Sequence, residues 1–441
     1  MREEYPFTDY DGRVTLVTVF AIIFILLMAF MGAPVFVVIS SFALLGFFLS
    51  DIQFAALIVD IYSKFSNNPV LYTIPIFTFA GYVLAESRAS IRIVNFSQAL
   101  FGWMPGGLAV VSLVACAFFT AFTGASGVTI IALGGLLFPA LIKEKYHERF
   151  SLGLLTSSGS LGLLFFPSLP IIIYGVVSET SITQLFAAGL IPGVFLVVIL
   201  SIYSIVVAKK AQVSKKAFSG IELVKTAAAA KWELFIPVIL IVGIFGGFVT
   251  LGEVASITVA YALIVEIFIH RDIRLTDIPT IMHESMVLVG GIFIIFGSAL
   301  ALTTYMIDAE IPLMTLNFIQ AHITSKITFL IVLNIFLLVV GCIMDIYSAL
   351  VVVVPLVVPI ALSYDINPVH LGIIFLTNLE IGYSTPPVGM NLFISCIRFD
   401  KSVITLYRAT IPFILILMIG LLVITYVPEM SLWLIDACGI K

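Results

Sequence analysis

The sequence predicts an all-α protein that crosses a membrane many times. Of its 441 residues, 61% are hydrophobic and 10% are charged, and the mean hydropathy is +1.21. Soluble domains are about half apolar and one quarter charged, so a soluble core could not hold this much apolar surface. Many apolar stretches are also about 20 residues long, the length that a helix needs to cross about 30 Å of hydrocarbon. The lipid bilayer is therefore the first predicted partner.

Ten apolar stretches predict ten crossings of the membrane. They lie at 14–31, 33–50, 70–86, 150–177, 185–207, 234–250, 253–269, 287–305, 370–395 and 411–427. Two further apolar stretches, 106–142 and 327–362, are too long for one crossing, and polar and small residues interrupt each of them midway. We expect both to be re-entrant hairpins.

Basic residues orient these crossings, because Lys and Arg collect in cytoplasmic loops. The segment 208–233 holds the longest basic loop and is predicted to be a cytoplasmic linker. Counting crossings outward from it places most of the 21 basic residues inside, provided that both hairpins are re-entrant. Residues 1–13 then form an external N-terminal segment, and the C-terminus is external as well.

The two halves of the chain correspond after a shift of 220 residues. Three prolines of the first half, among them Pro167, then coincide with prolines of the second half, and Gly162 coincides with Gly382. We therefore interpret 14–207 and 234–441 as two repeats. Since the first hairpin opens from the inside and the second from the outside, they would be inverted-topology repeats, whose shared midplane normally holds the substrate site.

Each repeat contains one helix that prolines interrupt, at 150–177 and at 370–395. Proline removes an N–H group and clashes with the carbonyl four residues earlier, so it releases helical carbonyls. Such carbonyls are suitable ligands for Na⁺, with hydroxyls completing each shell. The predicted sodium-binding residues are Ser157, Ser158, Gly162, Leu163 and Phe166 in the first break and Thr377, Gly382, Tyr383 and Thr385 in the second. Two ordinary proline kinks are the alternative.

We single out three of the acidic residues that lie in or beside apolar stretches. Asp345 lies at the predicted tip of the second hairpin and is a functional candidate, because a charge at membrane depth is costly. The alternative is that this tip reaches the external interface, where Asp345 is solvated. Glu380 could be a cation ligand, a proton carrier or the partner of a neighbouring group. Glu266, close to His270 and Arg271, is interpreted as an interfacial charge.

No catalytic signature occurs in the sequence. It contains no HExxH, Walker loop or GxGxxG motif, so we expect no enzyme, no cofactor and no metal other than sodium. No basic run alternates with aromatic residues, so nucleic acid is not an expected partner.

Five segments resemble the large membrane (M, DctM-like) subunit of tripartite ATP-independent periplasmic (TRAP) transporters. The longest reads Thr377-Asn-Leu-Glu-Ile-Gly-Tyr-Ser-Thr-Pro-Pro-Val-Gly-Met-Asn391. The others are Thr123–Gly127, Ser181–Gly193, Gly341–Asp345 and Asp365–Gly372. The resemblance covers nearly the whole chain from about residue 14, although the family usually has two prolines where this chain has Phe166-Pro167.

This resemblance implies an elevator-type ion-transporter fold in a bacterial inner membrane, with both termini in the periplasm. It also implies a sodium-coupled importer of small organic acids such as dicarboxylates or sialic acid. Expected partners are a small four-span membrane subunit, a soluble extracytoplasmic substrate-binding protein and the carboxylate itself. By motif, Thr123, Ser126, Ser168 and Asp345 would lie near the substrate. A stand-alone antiporter or anion carrier without a binding protein, and a channel, are the alternatives.

Overall fold

The computed structural model describes residues 10–50, 53–211 and 217–440, and all regular structure in these ranges is helical. The first half contains α1 Tyr10–Phe30, α2 Val35–Leu49, α3 Phe54–Asn67, α4 Thr73–Glu86, α5 Ala89–Phe101, α6 Gly107–Thr123, α7 Ser126–Lys143, α8 Glu148–Ser158, α9 Leu169–Val177 and α10 Ile182–Lys210. A short 3₁₀ turn, Leu161–Leu164, lies between α8 and α9. The all-α prediction is confirmed.

The second half repeats this order of parts. It contains α11 Gly220–Ala229, α12 Lys231–Phe245, α13 Leu251–Leu263, α14 Ile278–Asp308, α15 Ile311–His322, α16 Lys326–Ile343, α17 Ile346–Ser363, α18 Pro368–Gly382, α19 Met390–Phe399, α20 Val403–Tyr426 and α21 Glu429–Cys438. A π-helical turn, Ile264–Ile269, continues α13. The predicted hairpins are the helix pairs α6–α7 and α16–α17, and the interrupted helices are α8–α9 and α18–α19.

Seven described helices are long and apolar enough to cross a membrane, or up to nine if each of two bent pairs is one span. Four of the ten predicted crossings fall on such single helices and two on the bent pairs. The other four fall on apolar helices of 10–17 residues. One bent pair is the first predicted broken helix, whose two parts, Glu148–Leu164 and Leu169–Val177, meet at an angle of 47°.

Five helices occupy segments that the sequence predicted to be loops or left unassigned, namely α3, α5, α11, α15 and α21. None of them passes as an apolar span by itself, and α11 passes only together with α12 as a bent pair. They lie between apolar helices or, in the case of α21, after the last one, so a search for long apolar runs does not detect them. One consequence is that the predicted linker 208–233 contains α11 and the first turn of α12.

Packing contacts support the two repeats. A methyl group on Gly162 would lie 2.5 Å from the amide nitrogen of Ala121 in α6, and one on Gly382 would lie 2.7 Å from Cα of Gly341 in α16. These partners are themselves 220 residues apart. Glycine at each break therefore lets the broken helix approach the backbone of its own hairpin, the close packing that small residues permit in membranes.

The two hairpins and two broken helices pack into one unit. The second arm of each hairpin packs on the second arm of the other repeat's broken helix, α7 on α19 and α17 on α9. A second set of contacts joins α2 to α14, α4 to α13, and α12 to α13. Contacts of α4 with α6 and of α14 with α17 connect the two sets.

The interpretation of Glu266 as an interfacial charge is wrong. Its side chain is 0% exposed, and both carboxylate oxygens accept hydrogen bonds from Nη2 of Arg92, at 3.0 and 2.8 Å. A buried carboxylate needs such a partner, because desolvation of an unpaired charge is costly.

Candidate functional site

The tips of the two hairpins touch each other. The Tyr347 hydroxyl, just after the second tip, donates to the Gly124 carbonyl at the first tip at 2.8 Å. Gly124 also lies against Leu169 at the start of α9, where an added Cβ would come within 2.6 Å of the Leu169 side chain. The Gly389 amide, before α19, donates to the carbonyl of Cys342 at 3.0 Å. The two tips and the two helix breaks therefore form one cluster.

Four helices begin in this cluster: α7 and α17 after the hairpin tips, and α9 and α19 after the breaks. The first amides of a helix have no helical acceptor, and the helix dipole places about half a positive charge at this end. Helix starts are therefore natural binding sites for anions. At α7, α9 and α19, which have no side-chain cap, this arrangement supplies positive potential without a Lys or Arg side chain.

The structure brings the four predicted substrate residues to these helix starts. Ser126 is the first residue of α7 and Ser168 the N-cap of α9, and both side chains are buried. Thr123 ends α6, and its hydroxyl donates to the Ala125 carbonyl at 3.4 Å. Asp345 is the half-buried N-cap of α17.

Asp345 uses its carboxylate to begin α17. Oδ1 accepts the amides of Tyr347 and Ser348, both at 3.0 Å, and Oδ2 accepts the Ser348 hydroxyl. Because Tyr347 packs this tip against the other hairpin, Asp345 lies next to the contact between the two hairpin tips.

The two breaks are joined by a hydrogen-bonded crossing. The Ser160 hydroxyl donates to the Glu380 carbonyl at 3.3 Å, and Nδ2 of Asn391 donates to the Thr156 carbonyl at 3.3 Å. The Thr156 hydroxyl in turn donates to Oγ of Ser395 at 2.9 Å. All of these residues are buried. The crossing places the predicted sodium-binding residues of the two breaks next to each other.

The predicted sodium-binding hydroxyls differ in their partners. Those of Thr377 and Thr385 donate to carbonyls one turn earlier at 2.7 and 2.8 Å, and that of Ser158 donates to the Leu155 carbonyl at 3.4 Å. Each oxygen keeps lone pairs for a cation, since a hydroxyl has two acceptor sites. The Ser157 hydroxyl is buried and has no hydrogen-bond partner among the described residues.

Turns in the second break replace some of the helical hydrogen bonds that proline removes. The carbonyl of Gly382 accepts the Thr385 amide at 2.9 Å, and that of Tyr383 accepts the Asn391 amide at 3.0 Å. A carbonyl can accept two hydrogen bonds, so each retains one lone pair. In the first break, Leu163 is buried, whereas Phe166 is half-buried and its ring packs near Phe186 and Phe245.

Several buried oxygens in and beside the breaks have no hydrogen-bond partner among the described residues. They belong to Ser157, Ser168, Glu380, Ser384 and Asn391. Buried polar atoms are nearly always satisfied, so such a group of oxygens needs an explanation. Hydroxyl, amide and carboxylate oxygens are the ligands that hard cations prefer, so this set of oxygens is suitable for binding Na⁺.

The Glu380 carboxyl is 0% exposed, and neither oxygen has a hydrogen-bond partner in the described part of the chain. The proposed pairing with a neighbouring group is therefore not supported. A cation ligand and a proton carrier remain, because an unpaired buried carboxylate is too costly.

A large cavity in the described part of the chain does not coincide with this cluster. It holds about 600 Å³ between the C-terminal parts of α9, α14 and α17, and it is lined by Val177, Ile307 and Val358, among others. None of the predicted substrate residues lines it. It lies where the hairpin unit meets α14, and we interpret it as a crevice between the two sets of helices.

Sequence reasoning missed four residues that join the breaks, namely Thr156, Ser160, Asn391 and Ser395. The 220-residue shift superposes Ser160 on Glu380, which could have indicated a contact between repeats. The others are small polar residues in apolar helices, and their partners become visible only after the helices cross.

Comparisons with known proteins agree with this architecture. Residues 19–430 match the family described as tripartite ATP-independent periplasmic transporter, DctM component. The C4-dicarboxylate TRAP transporter large permease protein DctM of Vibrio cholerae is 33% identical, covering 94% of this chain and 97% of that protein. The ectoine/5-hydroxyectoine TRAP transporter large permease protein UehC of Ruegeria pomeroyi is 30% identical, covering 95% and 98%.

A solved structure shares the fold. The YdaH transporter of Alcanivorax borkumensis superposes with a TM-score of 0.61 over 88% of this chain and 89% of that one, at 12% sequence identity. The similar proteins are transporter permeases rather than enzymes, and the chain is a multi-span helical membrane protein. It belongs to the DctM family, the large permease subunits of TRAP transporters.

Proposed function

We propose that this chain imports small organic acids by sodium-coupled symport in a bacterial inner membrane. The observation that carries the proposal is the meeting of four helix starts with buried, unpartnered oxygens at two crossing breaks. The helix starts favour a carboxylate, and the oxygens of the breaks favour Na⁺.

The two ligands would support each other electrostatically. A carboxylate at a helix start gains up to about 2 kcal/mol from the dipole in a buried site. The negative charges of Asp345 and of the substrate would repel one another, and Na⁺ in the neighbouring breaks offsets this repulsion. Substrate affinity would therefore depend on bound sodium, which is the basis of coupling.

The relatives support the proposed substrate class. Those named above are described for C4-dicarboxylates and for ectoine, and each of these compounds carries a carboxylate. In the proposal, Thr123, Ser126 and Ser168 bind polar groups of the acid. Asp345 would contact either a polar group of the substrate or a nearby cation.

The proposed movement is of the elevator type. The unit of hairpins and broken helices would carry its ligands past the static set that includes α2, α4 and α12–α14. A soluble extracytoplasmic binding protein would deliver the substrate, and a small four-span membrane subunit would complete the complex. Both termini would be periplasmic, and the segment 208–233 cytoplasmic.

Uptake of organic acids by the complex reconstituted in liposomes tests this function. With an inward sodium gradient and the binding protein from the same locus, at least one organic acid should accumulate, whereas its amide analogue should not. Uptake that needs no binding protein would favour a stand-alone carrier, and uptake of the neutral analogue at the same rate would contradict anion recognition.

A further inference from the structure

Arg92, in α5 of the first repeat, is surrounded by three carboxylates, one at the end of the segment 208–233 and two in the second repeat. Its Nη2 donates to both oxygens of Glu266, Nε donates to Glu233, and Nη1 donates to Asp272. The carboxylates are 1% exposed in Glu233, 0% in Glu266 and 11% in Asp272. They come from α12, from the π-helical end of α13 and from the loop that follows it.

Arg92 is the positively charged side chain that pairs with all three carboxylates. Nε2 of His270 lies 3.5 Å from Oε1 of Glu233. Burial, and next the charge of Arg92, lower the pKa of His270, so its ring is neutral near pH 7. Lys231 is a further neighbouring charge, and its ammonium lies 4.8 Å from the Trp232 ring. The described residues contain no group of three or more His, Cys, Asp and Glu side chains that could hold a metal ion.

The element that carries Arg92 connects the two sets of helices. α5 follows α4 and precedes α6, the first arm of the first hairpin, on which it packs. The link between α5 and α6 contains Gly102, Gly106 and Gly107, and Gly106 has φ +80°. Glycine adopts this conformation without steric cost, so the link is a suitable hinge.

The cluster occurs in one repeat only. The 220-residue shift superposes Arg92 on Pro312 of α15, and α15 has no buried residue. The corresponding connector before the second hairpin is therefore not fixed by buried ion pairs in the described structure.

We infer that Arg92 is a positioning residue that fixes α5 to α12 and α13 while the first hairpin moves about the link 102–107. The inference rests on the proposed transport function. It places the boundary between static and moving parts after α5, and not at the junction of α4 and α5.

A covalent bridge tests whether α5 stays fixed. The Arg88 amide lies 3.2 Å from Oδ2 of Asp272, so cysteines at 88 and 272 can be joined by a short bifunctional thiol reagent in a chain without its four native cysteines. Replacing Asp272 leaves Arg92 two carboxylates, so the unbridged variant should remain folded. In the reconstituted complex, bridging should preserve at least half of the sodium-driven uptake rate.

A matched bridge serves as the control. Ile307 of α14 and Val358 of α17 line the same cavity between the static and moving sets. Joining cysteines at these positions with the same reagent should lower uptake at least tenfold. Loss of uptake on bridging 88 to 272 would overturn the inference. Full uptake with both bridges would also overturn it, because transport would then not require the hairpins to move past the static set of helices.

Hydrogen exchange decides the question independently of transport. In detergent-solubilised protein, Arg92→Gln should raise amide exchange in residues 89–101 at least tenfold and leave residues 311–322 unchanged. Arg92→Lys should restore part of the protection, since lysine keeps the charge but lacks the guanidinium fork. Unchanged exchange in Arg92→Gln would refute the anchor. Absent sodium-driven uptake in the unbridged protein would instead refute the proposed function.

Discussion

Replacing Asp345 separates two roles that its carboxylate can have. The structure shows one of them, the cap of α17, in which Oδ1 accepts the amides of Tyr347 and Ser348 at 3.0 Å. The proposed role is to couple substrate affinity to sodium through its negative charge. Asp345→Asn keeps an oxygen for the cap and removes the charge, whereas Asp345→Ala removes both.

The magnitudes of the two effects differ. Asn and Asp are nearly equal N-caps, and loss of the cap in the Ala variant costs about 1 kcal/mol of stability. The interaction of two unit charges 4 Å apart is about 4 kcal/mol at an effective dielectric near 20. A tenfold change in rate needs about 1.4 kcal/mol. If Na⁺, or a substrate that Na⁺ stabilises, lies about 4 Å from the Asp345 carboxylate, removal of the carboxylate charge should lower uptake at least tenfold.

The assay is initial uptake in proteoliposomes over a series of sodium concentrations, together with thermal unfolding in detergent. For Asp345→Asn we expect an unchanged unfolding temperature, at least tenfold slower uptake and a higher sodium concentration for half-maximal rate. Asp345→Ala should show the same transport defect and a lower unfolding temperature. Wild-type uptake with an unshifted sodium dependence in the Asn variant would show that Asp345 only caps α17.

Three further predictions concern topology, packing and the second break. A cysteine that replaces Asn317 should be labelled from the external side of intact cells. A cysteine that replaces Lys215, a position not among the described residues, should be labelled only from the cytoplasmic side. Labelling of both from one side would contradict the inverted topology. Gly382→Ala should lower the free energy of unfolding by about 1–3 kcal/mol, because the added methyl group would overpack against the hairpin backbone. Gly290→Ala is the control, since a methyl group there meets no neighbour. Equal unfolding temperatures of the two variants would contradict this packing. Glu380→Gln should raise the sodium concentration for half-maximal uptake, and a change only in pH dependence would identify a proton carrier instead.

The sequence predicted the parts of the fold that depend on apolar length and on backbone breaks. Pro167 and Pro387 located the interrupted helices, and the polar residues within long apolar stretches located the hairpin tips. Gly162 and Gly382 were identified by their spacing alone, and the structure shows that each approaches the backbone of a hairpin. These features depend on short stretches of the chain, so they can be identified in a single sequence.

The remaining features depend on contacts between residues far apart in the chain. Arg92 and Glu266 form an ion pair across 174 positions, whereas the sequence alone suggested only an interfacial charge at Glu266. The hydrogen bond from Asn391 to the Thr156 carbonyl exists only because the two breaks cross. Short connecting helices such as α5 and α15 have no long apolar run and therefore gave no signal.

Coupled flux tests the central claim most directly. In sealed proteoliposomes that contain the complex, the binding protein and a transported acid are added outside at equal sodium concentration on both sides, and the entry of radioactive sodium is measured. The account predicts that the acid drives sodium inward, and that omitting the acid or replacing it with its amide analogue abolishes this entry. Accumulation of the acid without any acid-dependent entry of sodium would contradict sodium coupling at the two breaks.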